Sequence, residues 1–361
     1  MFGELVTAYL FLAGTGAGGM GAACLADLIA VRTPFGAMTA GSVSAARPAD
    51  RLVAFALAAS MGALMAGAVC LMADLGRIDR VLALFLTPAL TLMNGGAWAL
   101  AALIAVGAAL VLARFLYLPW LSRRVVVALE AIAVILAAVV AVYAGLLLQM
   151  LPGVRLWSPL WVPVLFTLSA ASCGCALLWG AALFVEDAEA VRSVLRGALG
   201  ADAAIVVGEL TAAAAFLAGA LGSEHPGVAA SAESLLHGAA ALSWWCGFML
   251  CGVVLPLAIE AVLWWRGRTD RSPSAFAPAS PPMVLAALAA CVLVGGAGLR
   301  WAMIGAGEPR PLELQDPAAF AVPVADGPSD AVARRADVAA AAASATTCST
   351  AEREEFVPWS S

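Results

Sequence analysis

Hydrophobic residues in this chain are grouped in long blocks, and charged residues stand mainly between the blocks. The first block lies between two carboxylates, Glu4 and Asp27, and residues 5–26 carry no formal charge. A helix needs about 20 apolar residues to cross about 30 Å of hydrocarbon, where a helix satisfies its own backbone hydrogen bonds. The block therefore predicts a first transmembrane helix over residues 4–30.

Seven further apolar blocks follow, separated by connections that are polar, arginine-bearing or rich in proline. The pattern predicts eight spans, over residues 4–30, 52–73, 82–112, 125–150, 157–184, 201–221, 237–263 and 283–305. From Glu308 onward the residues are mainly Pro, Ala, Asp and Ser, which is typical of an extended or disordered segment. We expect an all-α polytopic membrane protein, with a membrane domain over 1–307 and a Pro/Ala-rich tail over 308–361.

Small residues share one face of the first predicted helix. Six positions recur at alternating steps of three and four residues and so lie on one side: Glu4, Thr7, Phe11, Gly14, Gly18 and Gly21. Glycines at this spacing let a neighbouring membrane helix approach closely. Residues 16–21 also fit G-x-G-x-x-G, but a dinucleotide site needs a preceding strand and a helix that starts at the glycines. We therefore expect helix packing here and no nucleotide.

The composition supports a membrane protein and limits its cofactors. Of the 361 residues, 63% are hydrophobic and 12% are charged, about half the charged fraction of soluble domains. Its two histidines, His225 and His237, do not fall mid-span, so no bis-histidine haem is expected. No C-x-x-C pair occurs, and seven of the eight cysteines lie in apolar segments, so we expect no iron–sulfur cluster and no metal site. The net charge of −5 does not suggest a nucleic-acid partner.

Arginines are divided unequally between the two sets of connections. Eleven follow spans 1, 3, 5 and 7: Arg32, Arg47, Arg51, Arg114, Arg123, Arg124, Arg192, Arg196, Arg266, Arg268 and Arg271. Three follow spans 2, 4 and 6: Arg77, Arg80 and Arg155. The positive-inside rule then predicts that both termini are extracytoplasmic.

Polar side chains at the predicted outer ends of the spans form a candidate quinone site. They come from six spans: Glu4, Tyr9, Asn94, Trp98, Tyr143, Gln149, Trp157, His237 and Arg300. Such groups can bond the two carbonyl oxygens of a quinone and accept the protons of a quinol. For four tryptophans we favour instead a place in the interfacial belt that membrane proteins carry: Trp157, Trp161, Trp244 and Trp245. Tyr143 lies about two turns below the rim, deeper than a belt residue.

Carboxylates also occur at depth on the predicted inner side. Glu130 and Glu209 lie about 9–12 Å into their predicted spans at about 1.5 Å per residue. Exposing such a charge to lipid costs about 2.5 kcal/mol or more. Two roles stay open for them, part of a proton route or protonated acids bonded to a neighbouring helix. Glu260, at the end of span 7, is expected to pair with Arg266 or a neighbouring loop arginine.

The motifs of the spans occur in a recognisable order. They are Tyr9–Gly18 in span 1, Pro88 with Asn94–Trp98 in span 3, Tyr143–Leu147 ahead of Leu156–Trp157, Ser169 with Gly174, Leu255–Glu260, and Leu299–Trp301 with Gly305–Gly307. In these features residues 1–307 resemble the NrfD/PsrC family, the membrane subunits of polysulfide-reductase-type and related molybdopterin oxidoreductase complexes. Two departures stand out: Glu308 replaces a frequent Gln, and Glu4 alone represents the polar and aromatic groups that the family carries ahead of span 1.

This resemblance implies two four-helix bundles in a bacterial plasma membrane, without haem. It also implies a quinol site at the outer face of the first bundle, with menaquinone favoured as the quinone. Tyr143 in the Tyr-x-Gly motif, with Glu4 and Thr7 at the start of span 1, would be its site residues. Electrons would pass to a partner subunit with four iron–sulfur clusters and on to a molybdopterin catalytic subunit.

Three functions compete at this point. The first is a quinol-oxidising membrane subunit of a multisubunit reductase, and reduction of quinone by a dehydrogenase would use the same site. The second is a structural anchor without a quinone site. The third is a secondary transporter, which the sequence disfavours because the spans show no clear two-fold repeat and the prolines lie mainly at span ends.

Overall fold

The structure is a computed structural model, and it describes residues 3–31, 47–76, 92–116, 122–151, 153–185, 191–269 and 282–307. Nine α-helices lie in these ranges: α1 Glu4–Ala26, α2 Pro48–Leu75, α3 Leu92–Phe115, α4 Arg123–Gln149, α5 Trp161–Ala182, α6 Arg192–Leu221, α7 Pro226–His237, α8 Leu255–Thr269 and α9 Pro282–Ala306. Three other helical segments adjoin them: a π-helical turn over Asp27–Val31, a 3-10 turn over Arg155–Trp157, and a π-helical segment over Ser243–Val254 that runs into α8. These ranges contain no strand.

Eight helical segments of the described ranges are long and apolar enough to cross a membrane. They are Glu4–Ile29, Pro48–Asp74, Leu92–Phe115, Arg123–Gln149, Trp161–Ala182, Arg192–Leu221, Ser243–Trp265 and Pro282–Ala306. Each corresponds to one of the eight predicted spans, so the all-α polytopic class is confirmed. The remaining helix, α7, has 12 residues and is too short to cross.

Several predicted boundaries differ from the structure. Span 6 begins at Arg192 rather than at residue 201, because the polar first turns of α6 still bury Val194 and Leu195. Span 7 begins at Ser243 rather than at residue 237, because Pro226 starts a separate helix, α7, and Gly238 follows its end. Span 5 begins at Trp161, after the 3-10 turn, rather than at residue 157. Residues 82–91, predicted to open span 3, and the predicted tail 308–361 lie outside the described residues.

The spans are arranged as two four-helix bundles, as the family resemblance implied. In the first bundle α1 packs against α2 and α4, and α3 closes the ring by packing against α2 and α4. In the second, α5 packs against α6 and α9, and the span that ends in α8 packs against both of these helices. The bundles meet mainly along α1 and α5, the first helix of each.

Glycines make the contact between α1 and α5 possible. A Cβ atom added to Gly18 would lie 1.7 Å from the carbonyl oxygen of Ala170, and one added to Gly174 would lie 2.3 Å from the carbonyl oxygen of Gly18. Only a residue without a Cβ lets the two backbones approach this closely. The predicted packing role of the glycine face is confirmed, and the glycines lie within a helix rather than in a nucleotide-binding turn.

Candidate functional site

Tyr143 on α4 forms the floor of the candidate site. Its side chain is buried, and its ring lies so close to Gly96 of α3 that a Cβ there would be 2.1 Å from a ring carbon. The Tyr143 hydroxyl lies 3.4 Å from the carbonyl oxygen of Met93, a long distance for an O–H···O bond. The ring is therefore fixed by packing, while its hydroxyl remains able to donate a stronger hydrogen bond to a ligand.

A cavity of about 490 Å³ lies beside this ring, between α3 and α4. Its lining residues are Leu92, Gly95, Gly96, Ala138, Val139, Val142, Tyr143 and Leu146. Tyr143 carries the polar group among these side chains, and the others are apolar or glycine. Small-molecule sites in proteins usually measure about 300–1,000 Å³ and combine apolar walls with a few polar groups. The cavity therefore suits a flat, largely apolar ligand that accepts or donates one hydrogen bond at Tyr143.

Three other predicted site residues are buried at the start of their helices. Tyr9, on α1, lies within electrostatic reach of Tyr143. Thr7, on α1, and Asn94, on α3, are also buried. Their helices surround Tyr143, but none of the three lines the cavity. The three belong to the interior of the first bundle and not to the cavity lining.

Glu4, Trp98 and His237 are exposed in the structure. Glu4 is the first residue of α1, and Trp98 is 54% exposed on the outer surface of α3. His237 ends α7 and so does not belong to span 7, where the sequence placed it. None of them lines the cavity. The position of Trp98 is that of an interfacial belt residue.

A comparison with protein-family models adds a finding that is independent of this geometry. The model of the family described as polysulphide reductase, NrfD, matches residues 1–309 of the 361. The chain belongs to the NrfD family. NrfD proteins are membrane subunits of oxidoreductase complexes and work with iron–sulfur and molybdopterin subunits. A comparison with curated proteins gives no match.

Arg300 lies between the two bundles of this NrfD protein and does not line the cavity. It is fully buried on α9, and its Nε donates to the carbonyl oxygen of Leu10 on α1 at 3.1 Å. Its Nη1 donates to Ser169 Oγ on α5 at 3.1 Å and to the carbonyl oxygen of Gly296 at 2.7 Å. The guanidinium also lies over the ring of Phe166, 5.3 Å from its centre. Arg300 thus connects the second bundle to α1, one residue from Tyr9.

A buried ion cluster joins three helices of the first bundle at the other ends of their spans. Arg114 Nη2, near the end of α3, lies 2.7 Å from Asp27 Oδ2 and 2.5 Å from Glu130 Oε1. All three side chains are buried. Arg114 was counted above as a loop arginine, and this assignment is wrong because the side chain turns into the bundle. Without it the count is ten arginines against three, and the positive-inside rule still predicts that both termini are extracytoplasmic.

The second bundle encloses three further acids. Glu209 lies about 25 Å from the start of α6 and about 18 Å from its end at about 1.5 Å per residue, deeper than predicted because α6 starts earlier. Asp202, seven residues earlier on the same face of α6, is fully buried and lies against the carboxyl of Glu260 on α8. The sequence had suggested Arg266 as the partner of Glu260, but the side chain of Arg266 lies outside the described part of the structure.

Two tryptophans assigned to the interfacial belt are buried instead. Trp157 donates from Nε1 to the carbonyl oxygen of Met303 at 2.9 Å, and Trp244 packs against Phe248 with ring centres 5.1 Å apart. Both are fully enclosed, because they fall at helix contacts of the second bundle. Trp161 and Trp245 are 42% and 49% exposed, which fits the belt assignment.

Proposed function

We propose that this chain oxidises quinol in the cavity between α3 and α4 and passes two electrons to an iron–sulfur subunit and on to a molybdopterin subunit. The observation that carries the proposal is the cavity itself, an apolar space that is lined in part by Tyr143. A quinol head group is flat and apolar apart from two oxygens at opposite edges. One of these oxygens would bond to Tyr143, and the ring would lie against Gly95 and Gly96.

The reaction removes two electrons and two protons from each quinol. Because the sequence offers no ligand set for haem or an iron–sulfur cluster, the electrons must leave through another subunit. The two protons would leave at the rim, where Glu4 is exposed at the start of α1. We place this rim on the extracytoplasmic side of a bacterial plasma membrane, as the arginine distribution predicts. Menaquinol is our proposed substrate.

Replacing Tyr143 by Phe should weaken quinol-site binding. The change removes one hydroxyl and keeps the ring against Gly96. We expect affinity to fall about tenfold, since an unmade hydrogen bond to a buried polar group costs about 1–3 kcal/mol. Titration of the purified chain with a fluorescent quinone-site inhibitor measures the difference. Equal binding by both proteins would make Tyr143 a packing residue. No binding by the wild type, even with its iron–sulfur partner present, would favour an anchor without a quinol site.

Replacing Gly95 by Leu should fill the cavity without disturbing its walls. A Cβ at Gly95 meets no atom within 4 Å, so the new side chain has space to enter the cavity. We expect inhibitor affinity to fall by at least about tenfold, or about 1.4 kcal/mol. Gly62 on α2 is the matched control, because it is also an exposed helical glycine with open space around its Cβ. Gly62→Leu should bind like the wild type. Tight binding by Gly95→Leu would place the ligand elsewhere.

A further inference from the structure

Two carboxyl groups face each other inside the second bundle. Asp202 of α6 is fully buried and Glu260 of α8 is 3% exposed, and their side chains lie within hydrogen-bonding reach of each other. No arginine of the described residues pairs with either group, and none of their four oxygens accepts a conventional hydrogen bond. Cys175 of α5 lies near both acids, and Cys173 lies near Cys175. Within the described part of the chain, the pair therefore has acidic and thiol neighbours but no cation.

Electrostatics requires a proton at such a pair. Two ionised carboxylates in contact repel each other strongly in a low-dielectric interior, so one of them keeps its proton. The protonated carboxyl then donates to the ionised one, and this bond supplies a donor that the described neighbours of the pair do not. A hard metal ion is a poor alternative, since Ca²⁺ takes about 6–8 oxygen ligands. The described residues also hold no group of three or more His, Cys, Asp or Glu side chains placed to bind a metal.

Ser172 lies close both to this pair and to Glu209. It is buried on α5, its hydroxyl has no hydrogen-bond partner at normal distance, and it lies beside Asp202. Ser172 and Glu209 also line the same narrow space, together with Ser169. Glu209 is buried, and one of its carboxyl oxygens has no partner. A hydroxyl can accept a hydrogen bond from one acid while it donates its own to another. The Ser172 hydroxyl could therefore pass a proton from Asp202 to Glu209.

Arg300 lies at the far end of this row. Glu209 is within electrostatic reach of both Asp202 and Arg300, and Ser169 accepts a hydrogen bond from Arg300. The row of polar groups thus runs from Glu260, near the end of its span, to the residue that contacts α1 beside Tyr9. Placing an ionisable group inside a membrane costs free energy, so such groups are the first candidates for a functional role. This row connects one end of the second bundle with α1 at Leu10, the residue next to Tyr9.

We propose that Asp202 and Glu260 hold one exchangeable proton between them and pass it through the Ser172 hydroxyl to Glu209. In one step the pair gives a proton to ionised Glu209, and the pair regains a proton from water at the Glu260 end. Glu209 becomes ionised again when its proton leaves past Ser169 at the Arg300 end of the row. No electron moves in this step. The relay rests on the proposed function only for its driving force, which quinol oxidation supplies. Glu130 is not part of it, because Arg114 already binds its carboxyl.

Infrared spectroscopy of the full chain tests the shared proton without any quinol. The test variant combines Asp202→Asn with Glu260→Gln, which keeps the shape of the pair and its ability to hydrogen-bond. We expect the wild type to show a carbonyl band of a protonated carboxyl that moves to lower frequency in D₂O, and the variant to lack that band. Asp50→Asn should retain it, because Asp50 is buried but paired with Arg47. A band unchanged in the double variant, or one that never exchanges in D₂O, would overturn the proposal.

Proton counting in vesicles tests the relay during turnover. The complex with its partner subunits is reconstituted, quinol oxidation is followed by absorbance, and protons are followed with pH dyes on both sides. The wild type should take up protons on the side opposite the quinol site, in addition to releasing two per quinol. The double variant should oxidise quinol in uncoupled vesicles but lose the uptake. Equal uptake by both proteins, or none by the wild type, would overturn the relay. If the wild type oxidises no quinol, the proposed function fails, while the infrared result still decides the shared proton.

Where Asp202→Asn with Glu260→Gln does not fold, each single substitution takes its place in the infrared measurement. An amide at either position still hydrogen-bonds the remaining carboxyl but no longer shares a proton with it. The exchangeable band should therefore shift in both single variants by comparable amounts. A band that responds to one position and not to the other would show that the two carboxyls do not share a proton.

Discussion

Replacing Arg114 by Met should strongly destabilise the first bundle. The substitution keeps the length and apolar stem of the side chain but leaves Asp27 and Glu130 buried without their cation. Removing one partner of a buried ion pair typically costs about 3–5 kcal/mol, because the remaining charge is uncompensated. We expect the thermal midpoint of the detergent-solubilised chain to fall by roughly 10 °C, at about 2–4 °C per kcal/mol.

A second variant separates lost charge from lost packing. Adding Asp27→Asn and Glu130→Gln to Arg114→Met removes both uncompensated carboxylates and should recover most of the lost thermal midpoint. Well-packed neutral replacements of buried ion groups are often as stable as the originals. Arg47→Met serves as the matched control, since Arg47 pairs with Asp50 but its side chain is 60% exposed. That change should cost less than about 1 kcal/mol. An Arg114→Met midpoint equal to that of the wild type would show that the cluster contributes nothing to stability.

Arg114 also shows where sequence reasoning fails for a membrane protein. At the end of a span, an arginine that faces a loop and one that turns into the bundle have the same local sequence. Its partners lie 87 and 16 residues away in the chain, in the π-helical turn after α1 and on α4, and only the packing of these segments against α3 brings them together. The same holds for Asp202 and Glu260, which meet because α6 packs against α8. The spacing of residues within one helix cannot predict such a contact between two helices.

Features that depend on one helix at a time were predictable. The eight spans follow from apolar length, and the glycine face of α1 follows from a period that a helix imposes on its own residues. Tyr143 was identified by its depth below the rim and by the Tyr-x-Gly motif, and the structure places it on the floor of a cavity. The opposite wall, Gly95 and Gly96, lies within the quoted Asn94–Trp98 motif, but a glycine carries no side-chain chemistry that would mark it as part of a site.

The polar residues at the rim illustrate a different limit. The sequence groups Glu4, Trp98 and Arg300 by their predicted depth along a span, but depth does not give the direction in which a side chain points. Arg300 turns into the contact between the bundles, where Leu10, Ser169 and Gly296 accept its hydrogen bonds. Trp98 turns outward. Polar residues that share a level in the membrane can therefore belong to different environments, and only the rotation of each helix decides which.

Adding a single methyl group at Gly18 should disrupt the contact between the bundles. In Gly18→Ala the new Cβ would lie 1.7 Å from the carbonyl oxygen of Ala170. The two helices at which the bundles meet, α1 and α5, must therefore move apart. Overpacking of a rigid core costs about 1–3 kcal/mol and sometimes more, and here backbone rather than a flexible side chain must give way. Gly180, on the partner helix α5, is the control, because a Cβ there meets no atom within 4 Å.

The two substitutions should therefore have effects of opposite sign. Gly180→Ala removes a flexible glycine from a helix and should stabilise the chain by about 0.5–1 kcal/mol. Gly18→Ala should lower the thermal midpoint by at least several degrees, or prevent accumulation of the folded chain in the membrane. Because α1 also carries the Leu10 carbonyl that binds Arg300, separation of the bundles should weaken inhibitor binding beside Tyr143 as well. If Gly18→Ala were as stable as Gly180→Ala, the close contact of α1 with α5 would not be what holds the two bundles together.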